Sequence, residues 1–354
     1  MNNLKQRRVM LRSVCARYSR FMSRLRPTGV VWSLKSPVAH YCITPKAGCT
    51  TWKQIFRFLS GDVRIRSTVD TPSDIDRMFV HYYPLKNINA TKLIDPVIQA
   101  RMTHEFSFMI SRNPYTRLWS AYIDKFLLPD FWRTDALNMI RAVRQNASEY
   151  DLKCANNLSF QEFLKFIVIQ FPVNLNEHWQ PIFKLCNPCR IDYDVIGTQE
   201  TFLEDTKYIL KRIGLANITT KMFAKENRIK EEVEMLTKYN FNLETRIREG
   251  CFDKLDVAHR LWKAFQFNGY IHRSIAFPWK RLEMSNFTSA PVETFLKQVI
   301  LAMNFQRDSD LVMGSQKKDM MLEAYQQTSS ELLSRVQAVY NLDFKLFGYD
   351  VKLI

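Results

Sequence analysis

A chain of 354 residues with 46% hydrophobic and 13% aromatic content is long enough to bury a large core and too apolar to stay disordered. Its net charge of +16 is uneven, because residues 1–61 hold 12 Lys or Arg and no Asp or Glu. Only nine glycines are present, which excludes glycine-rich repeats, and no run approaches the roughly 18 apolar residues of a membrane span.

Residues 1–37 carry no sustained period and end in Ser36-Pro37, which predicts a basic N-terminal arm ahead of a folded region over 38–354. Such an acid-free segment suits nucleic acid, an anionic membrane face or an acidic polymer, or is a solvated arm with no partner. The start, with Arg7, Arg8, Arg12, Arg17 and Arg20, is too interrupted for a signal-peptide core. Val38–Thr44, a mainly apolar run bounded by Pro45, predicts a buried strand, and Trp52, Ile55, Phe56 and Leu59 fall at helical spacing over 51–59. The same grammar recurs at Phe106–Ser111, followed by Asn113-Pro114 and a helix whose Leu118, Ala121, Tyr122 and Phe126 share a face. A third copy joins a strand at Asp194–Gly197 to a helix over Thr201–Ile213, with Gly214 just past its end. Alternating strands and helices predict an α/β fold, a single domain with a central parallel sheet flanked by helices. Beyond residue 222 the pattern is mostly helical and polar, with an apolar piece at Phe295–Met303 and an aromatic tail at Tyr340–Tyr349.

Seven cysteines leave at least one without an intrachain partner. Cys186 and Cys189 form a lone Cys-x-x-Cys that fits a disulfide, half a zinc site or a redox pair, and no second Cys or His pair at zinc spacing accompanies it. Asn-x-Ser/Thr sequons stand at Asn89, Asn146, Asn157, Asn217 and Asn286, where about two would arise by chance.

The chemistry concentrates in two turns. Pro45-Lys46-Ala47-Gly48-Cys49-Thr50-Thr51-Trp52-Lys53 lies where a strand hands over to a helix, so backbone N–H groups and the positive end of the helix dipole face outward. Gly48 permits close approach of an anion, Thr50 and Thr51 add hydroxyl donors, and Lys46 supplies a mobile point charge. The segment is not a Walker loop, since its Lys precedes the Gly and no Lys-Ser/Thr pair follows. That suits one 5′-phosphate with an attached group better than a triphosphate with a metal. After the second strand, Arg112-Asn113-Pro114-Tyr115-Thr116-Arg117-Leu118-Trp119-Ser120 places Arg112 and Ser120 where a guanidinium fork and a hydroxyl can take a second phosphate, with Arg117 a structural partner. Two anion cradles on two strand ends fit a nucleotide across the carboxyl edge of one sheet.

These residues resemble the Golgi carbohydrate sulfotransferases of the chondroitin, dermatan, N-acetylgalactosamine and HNK-1 type. That family carries a Tyr-Cys-x-x-Pro-Lys-x-x-Cys-Thr-x-Trp-Lys segment and an Arg-Asp/Glu-Pro-Phe-x-Arg-Leu-x-Ser-Ala-Tyr/Phe segment, which Tyr41–Lys53 and Arg112–Tyr122 match. Further similarity lies at Glu177-His178-Trp179, at Leu185–Cys189 leading into Tyr193–Gly197 with Glu200-Thr201, and at Asp343–Tyr349. Asn113 stands where the family usually has an acid, Thr51 where it often has Asn, and residues 216–335 match nothing in the pattern.

The resemblance implies a P-loop-like sulfotransferase fold and transfer of a sulfuryl group from 3′-phosphoadenosine 5′-phosphosulfate to a glycan hydroxyl, without a metal. Residues 46–53, namely Lys46, Ala47, Gly48, Cys49, Thr50, Thr51, Trp52 and Lys53, would bind the phosphosulfate, and Arg112 with Ser120 the 3′-phosphate. Lys46 and His81 would be catalytic: Lys46 neutralises the departing oxygen, and His81, between the two cradles in Val80-His81-Tyr82, takes the hydroxyl proton. His178 is the second candidate for the base, whereas His40 and His104 read as sheet-edge residues. The implied acceptor is an anionic or N-acetylgalactosamine-containing glycan, with no nucleic-acid partner. The implied location is the lumenal side of the Golgi membrane, with residues 1–37 as stem remnant and the membrane anchor absent from an incomplete or alternatively started chain. Two other classes compete. Asp74-Ile75-Asp76 and Asp192-Tyr193-Asp194 have the form of a glycosyltransferase metal clamp, and the basic opening suits a non-catalytic glycan-binding protein.

Overall fold

The computed structural model describes residues 2–66, 69–173, 175–218, 222, 225–243, 250–284, 287–305 and 310–353, so Asn286 and the Thr219 of the Asn217 sequon lie outside the described residues. The chain forms two compact units, one of Met1–Arg117, Phe171–Ala224 and Gln337–Leu353, the other of Leu118–Gln170 and Lys225–Val336.

The first unit is built on a five-stranded sheet: β1 Val30–Lys35, β2 Val38–Cys42, β3 Ile88–Lys92, β4 Ser107–Ser111 and β5 Val195–Thr198, in the order β3-β1-β2-β4-β5. The three expected strands pair in parallel, β2 with β4 and β4 with β5. The sheet is nevertheless mixed and not wholly parallel, because β1 pairs antiparallel with both β2 and β3. Ser36-Pro37, expected to end an arm, is the two-residue turn of the β1–β2 hairpin, since Lys35 pairs with Val38. The basic opening is therefore no free arm. Its helix Asn2–Arg17 buries Leu11, and Arg7 pairs with Asp205 at 2.8 Å while Arg8 and Arg12 reach Asp192.

Strand alternation assigns the two faces of the sheet. Val31, Cys42, Met109 and Ile196 face a core shared with Leu11, Met22, Ile182, Leu185, Leu346 and Phe347. Trp32, Leu34, Tyr41, Phe108, Ile110 and Val195 face the other core, against Trp52, Ile55 and Phe56 of helix Cys49–Leu59 and Ile209 and Leu210 of helix Phe202–Arg212. The apolar spacing over 51–59 is thus the buried stripe of a helix packed on the sheet, where each fully buried side chain contributes about 1.5–3 kcal/mol.

Cys186 and Cys189 do not pair with each other. Cys186 bonds to Cys42 of β2 and Cys189 to Cys15 of the first helix, because helix Ile182–Cys186 lies on the sheet face that Cys42 presents. A third disulfide, Cys154–Cys251, lies within the second unit, and Cys49 is free. His40 is not at a sheet edge but fully buried in β2, where Ser33 Oγ lies 2.7 Å from Nδ1 and Glu105 Oε2 2.5 Å from Nε2. Burial lowers its pKa, against the carboxylate, so the neutral ring is favoured between a hydroxyl and a carboxylate. His104 ends helix Pro96–His104.

The second unit is helical, as the pattern beyond 222 predicts. Helix Lys254–Phe267 buries Val257, Leu261, Trp262 and Phe265, and the apolar run at Phe295–Met303 lies in helix Pro291–Asn304, whose Phe295 ring is 6.3 Å from that of Phe265. The half-buried Arg260 donates to the carbonyls of Leu127 and Asn156. No described helix is long and apolar enough to cross a membrane.

Candidate active site

The parallel strands β2, β4 and β5 end at one edge of the sheet, and each delivers a motif there: Pro45–Gly48 after β2, Arg112-Asn113 after β4 and Gln199–Thr201 after β5. Ligands in open α/β sheets gather at this edge. Helix Cys49–Leu59 starts from Gly48, and no side chain caps its first turn, so its leading N–H groups are available to an anion.

Two arginines shape the loop. Arg112 Nη1 donates to Lys46 O at 2.7 Å, and Arg117 Nε donates to Pro45 O at 3.0 Å. Arg117 also reaches Gln180 O at 2.6 Å and Glu177 O at 2.8 Å, and only 1% of it is exposed. With its two flanking carbonyls drawn toward guanidinium groups, Lys46 sits at φ 67°, a left-handed conformation that costs a non-glycine residue about 1–2 kcal/mol. Gly48 at φ 76° is required twice over, since a Cβ there would lie 2.2 Å from the Phe202 ring. Gly48→Ala is expected to lower stability by about 1–3 kcal/mol, and Phe202→Ala in the same chain to recover part of it. Thermal unfolding of the single and double variants checks this, and a wild-type Tm for Gly48→Ala would refute the packing.

The loop residues divide by environment. Lys46, Gly48, Cys49, Thr50 and Thr51 are half-buried at its surface. Ala47 and Trp52 are fully buried, and the Trp52 ring packs on Phe108 with centroids 4.4 Å apart while its backbone N–H donates to Gly48 O. The Trp52 side chain therefore packs beneath the loop, away from its half-buried surface. Lys53 lies over the Trp32 ring at 5.3 Å. Ser120 belongs to the second unit, half-buried near the end of helix Pro114–Tyr122. Asn113 stands where an acid was expected, yet its Oδ1 accepts the Tyr115 N–H at 2.9 Å and so caps that helix as a carboxylate would.

His81 comes to the loop. Its Nε2 is 3.3 Å from Thr50 Oγ1. The helix that carries it, Arg77–Tyr82, is capped by Asp76, which accepts from the N–H groups of Met78 and Phe79, and is gripped at its far end by Arg57. Arg57, 2% exposed on the loop's own helix, donates to the carbonyls of Val80, Tyr83 and Pro84. Nothing in the sequence marked Arg57, because its partners lie 23 to 27 residues away. His178 is held at 2.8 Å by Asn176 Oδ1, and its neighbours are structural: the Glu177 carbonyl accepts Arg117, and the Trp179 carbonyl accepts the Tyr340 hydroxyl. The C-terminal tail braces the same segment, with Asp343 accepting the N–H groups of Ile182 and Phe183 at 2.7 and 2.8 Å. Burial raises the Asp343 pKa to about 6 despite those bonds.

The two Asp-x-Asp triplets are occupied structurally. Asp74 and Asp76 cap helical turns, Asp192 pairs with Arg8 and Arg12, and Asp194 accepts the Ser107 N–H. Among the described residues, no group of three or more His, Cys, Asp or Glu could hold a metal ion.

The chain is similar to known proteins named carbohydrate sulfotransferases. The chain is 35% identical over 178 residues to carbohydrate sulfotransferase 14 of Danio rerio, covering 49% of this chain and 45% of that protein. It is 31% identical over 225 residues to carbohydrate sulfotransferase 11 of Rattus norvegicus, covering 61% and 62%. It is 29% identical over 231 residues to carbohydrate sulfotransferase 8 of Mus musculus, covering 62% and 53%. The chain thus spans about half to three fifths of the length of these curated relatives. No solved structure matches it. The family model described as the sulfotransferase family matches residues 34–267, a stretch that contains the loop, both arginines that shape it and His81, and the chain belongs to that family.

Proposed function

We propose that the chain transfers a sulfuryl group from 3′-phosphoadenosine 5′-phosphosulfate to a glycan hydroxyl. The observation that carries this reading is the meeting of His81 with Thr50 on a loop whose carbonyls are turned back toward Arg112 and Arg117. The 5′-phosphosulfate would lie on the first turn of helix Cys49–Leu59, and the sugar oxygen would attack sulfur in line as the S–O bond to the 5′-phosphate breaks. Lys46 would neutralise the charge that develops on that departing phosphate oxygen. Arg112, at the end of β4, is assigned to the 3′-phosphate that distinguishes this donor from common adenine nucleotides. A Thr50 hydroxyl donating to Nε2 would keep that nitrogen unprotonated and directed at the loop, as a base requires.

The acceptor read from the relatives' names is a carbohydrate, and an anionic or N-acetylgalactosamine-containing glycan is the proposed class. Three disulfides, with Asn89, Asn146, Asn157 and Asn217 all exposed, support an oxidising, lumenal location such as the Golgi.

The test is transfer of radiolabelled sulfate from the donor to a panel of desulfated glycosaminoglycans and N-acetylgalactosamine-ended oligosaccharides. His81→Gln is expected to lower kcat by about 10²–10⁴-fold with little change in donor affinity. Wild-type kcat in that variant would move the base elsewhere, with His178 next, and donor binding without transfer to any acceptor would sink the reading.

A further inference from the structure

We propose that Arg20, Phe21 and Arg24, with Leu25 as the floor between them, form a second glycan-binding site that holds an acidic sugar unit of a polymeric acceptor apart from the point of transfer. The proposal deepens the glycan-acceptor reading and rests on it for the identity of the polymer. The basic opening of the chain divides into two kinds of arginine. Arg7, Arg8 and Arg12 are satisfied by Asp205 and Asp192. Arg17, Arg20, Arg24 and Arg26 are exposed, and among the described residues none of them makes an ion pair. Four unmatched guanidinium groups within ten residues raise the local positive potential and leave forks suited to carboxylate or sulfate.

The patch is shaped as well as charged. Arg20, Phe21, Arg24 and Leu25 line a concavity of about 420 Å³. Leu25 packs against the core beneath, while Phe21 is 51% exposed with its ring 6.4 Å from that of Phe183. An exposed ring flanked by two arginines suits a pyranose, whose apolar face stacks on Phe21 and Leu25 while its anionic substituent meets Arg20 and Arg24. The backbone here is held firmly, since Asn187 Nδ2 donates to the carbonyls of Met22 and Leu25 and Cys15 is bonded to Cys189. Nucleic acid is disfavoured by the oxidising compartment that three disulfides require. A bilayer surface is disfavoured by the concave shape and by the single protruding ring.

The segment that follows the patch runs to the edge of the sheet that carries the loop. Residues 20–29 lead into β1, whose start adjoins the end of β2, with Val31 opposite Cys42 and the Ile43 N–H donating to Val30 O. The donor loop leaves from that same end of β2. Thr28 and Gly29 are tied to the carbonyls of Lys184 and Leu185, in the segment whose Gln180 carbonyl accepts Arg117. A polymer held at Phe21 and long enough to follow this segment to the edge of the sheet would present its further units there at a raised effective concentration.

The test measures binding of the full chain to immobilised chondroitin sulfate without donor, against desulfated, carboxyl-reduced chondroitin as the uncharged polymer. Arg20→Ala/Arg24→Ala is expected to weaken binding about tenfold, and Phe21→Ala several-fold. Lys207→Ala/Lys211→Ala, which removes the same charge from exposed positions of helix Phe202–Arg212, is expected to leave it unchanged. In transfer assays the arginine pair should raise KM for the polymer and leave kcat and the KM of a disaccharide acceptor at wild-type values. Equal weakening by the two double variants, or an unaltered Phe21→Ala, would reduce the patch to bulk charge and overturn the proposal. So would loss of binding to phosphatidylserine vesicles in the arginine pair with chondroitin sulfate binding intact. Polymer binding without any transfer would leave the site standing and sink the enzymatic reading, while transfer without polymer binding would do the reverse.

Discussion

Replacing Lys46 by alanine is expected to lower kcat for sulfuryl transfer by about 10²–10³-fold, with a smaller change in donor affinity. In the proposed reaction the charge would matter most when the bond to sulfur breaks and the 5′-phosphate oxygen becomes more negative, so its loss would be felt in the transition state more than in the bound donor. Alanine alone does not isolate this, because position 46 has φ 67° and every side chain there carries backbone strain. Lys46→Gly separates the two effects. Glycine adopts that conformation without a Cβ penalty, which offsets its larger loss of chain entropy on folding, so the variant is expected to unfold no more easily than wild type while remaining as inactive as Lys46→Ala. Lys46→Arg should recover activity only in part, since a planar fork does not follow a moving charge as an ammonium does. Single-turnover kinetics with labelled donor and thermal unfolding of the three variants are the measurements. Retention of wild-type kcat in Lys46→Gly would remove Lys46 from the mechanism.

Arg117→Ala is expected to be the more disruptive change to the fold. The guanidinium is almost completely buried and spans three carbonyls, those of Pro45, Glu177 and Gln180, and so joins the loop at Pro45–Gly48 to the segment containing His178. Burial pulls its pKa down, and Tyr340 and Asp343 nearby act in the opposite direction. Removing it leaves buried acceptors without a donor, at a cost of about 3–5 kcal/mol, measurable by urea unfolding. Arg117→Lys keeps the charge but cannot serve three acceptors at once, so an intermediate loss of stability is expected. Its diagnostic effect is on catalysis: a loop no longer held at Pro45 should lower kcat more than it raises the KM of the glycan. A proportional loss of both would make Arg117 a purely structural residue.

The parts of the fold visible in the sequence are those whose signals are local. The apolar run before Pro45, the helical stripe Trp52, Ile55, Phe56 and Leu59, and the strand-turn-helix at Ser107–Tyr122 each bury one continuous face, so their periodicity reports directly on burial. β1 had a local signal as well, in Val30, Val31, Trp32 and Leu34, but the surrounding arginines and Ser36-Pro37 read as an arm. β3 had none. Ile88–Lys92 is an edge strand with one buried residue and exists because β1 offers it hydrogen bonds. The Cys-x-x-Cys spacing misled for a similar reason, since short sequence distance says nothing about which partners a sheet face and a terminal helix bring to either sulfur.

The strand-to-helix loop proposed to bind the donor was legible in the sequence. Its Gly48, Lys46 and hydroxyl residues lie consecutively at a strand-to-helix junction, and the anion-binding property of such a junction is a local consequence of backbone geometry. Only the tertiary structure decided what holds and serves it. Arg112 and Arg117 turn its carbonyls aside across 66 and 72 residues, and Arg57 fixes the helix that brings His81 to Thr50. It also separated the basic opening into arginines neutralised by Asp192 and Asp205 and arginines left facing outward. These are long-range pairings of buried polar groups. Their energy comes from desolvated hydrogen bonds whose partners have no fixed spacing along the chain, and so no pattern in the sequence announces them.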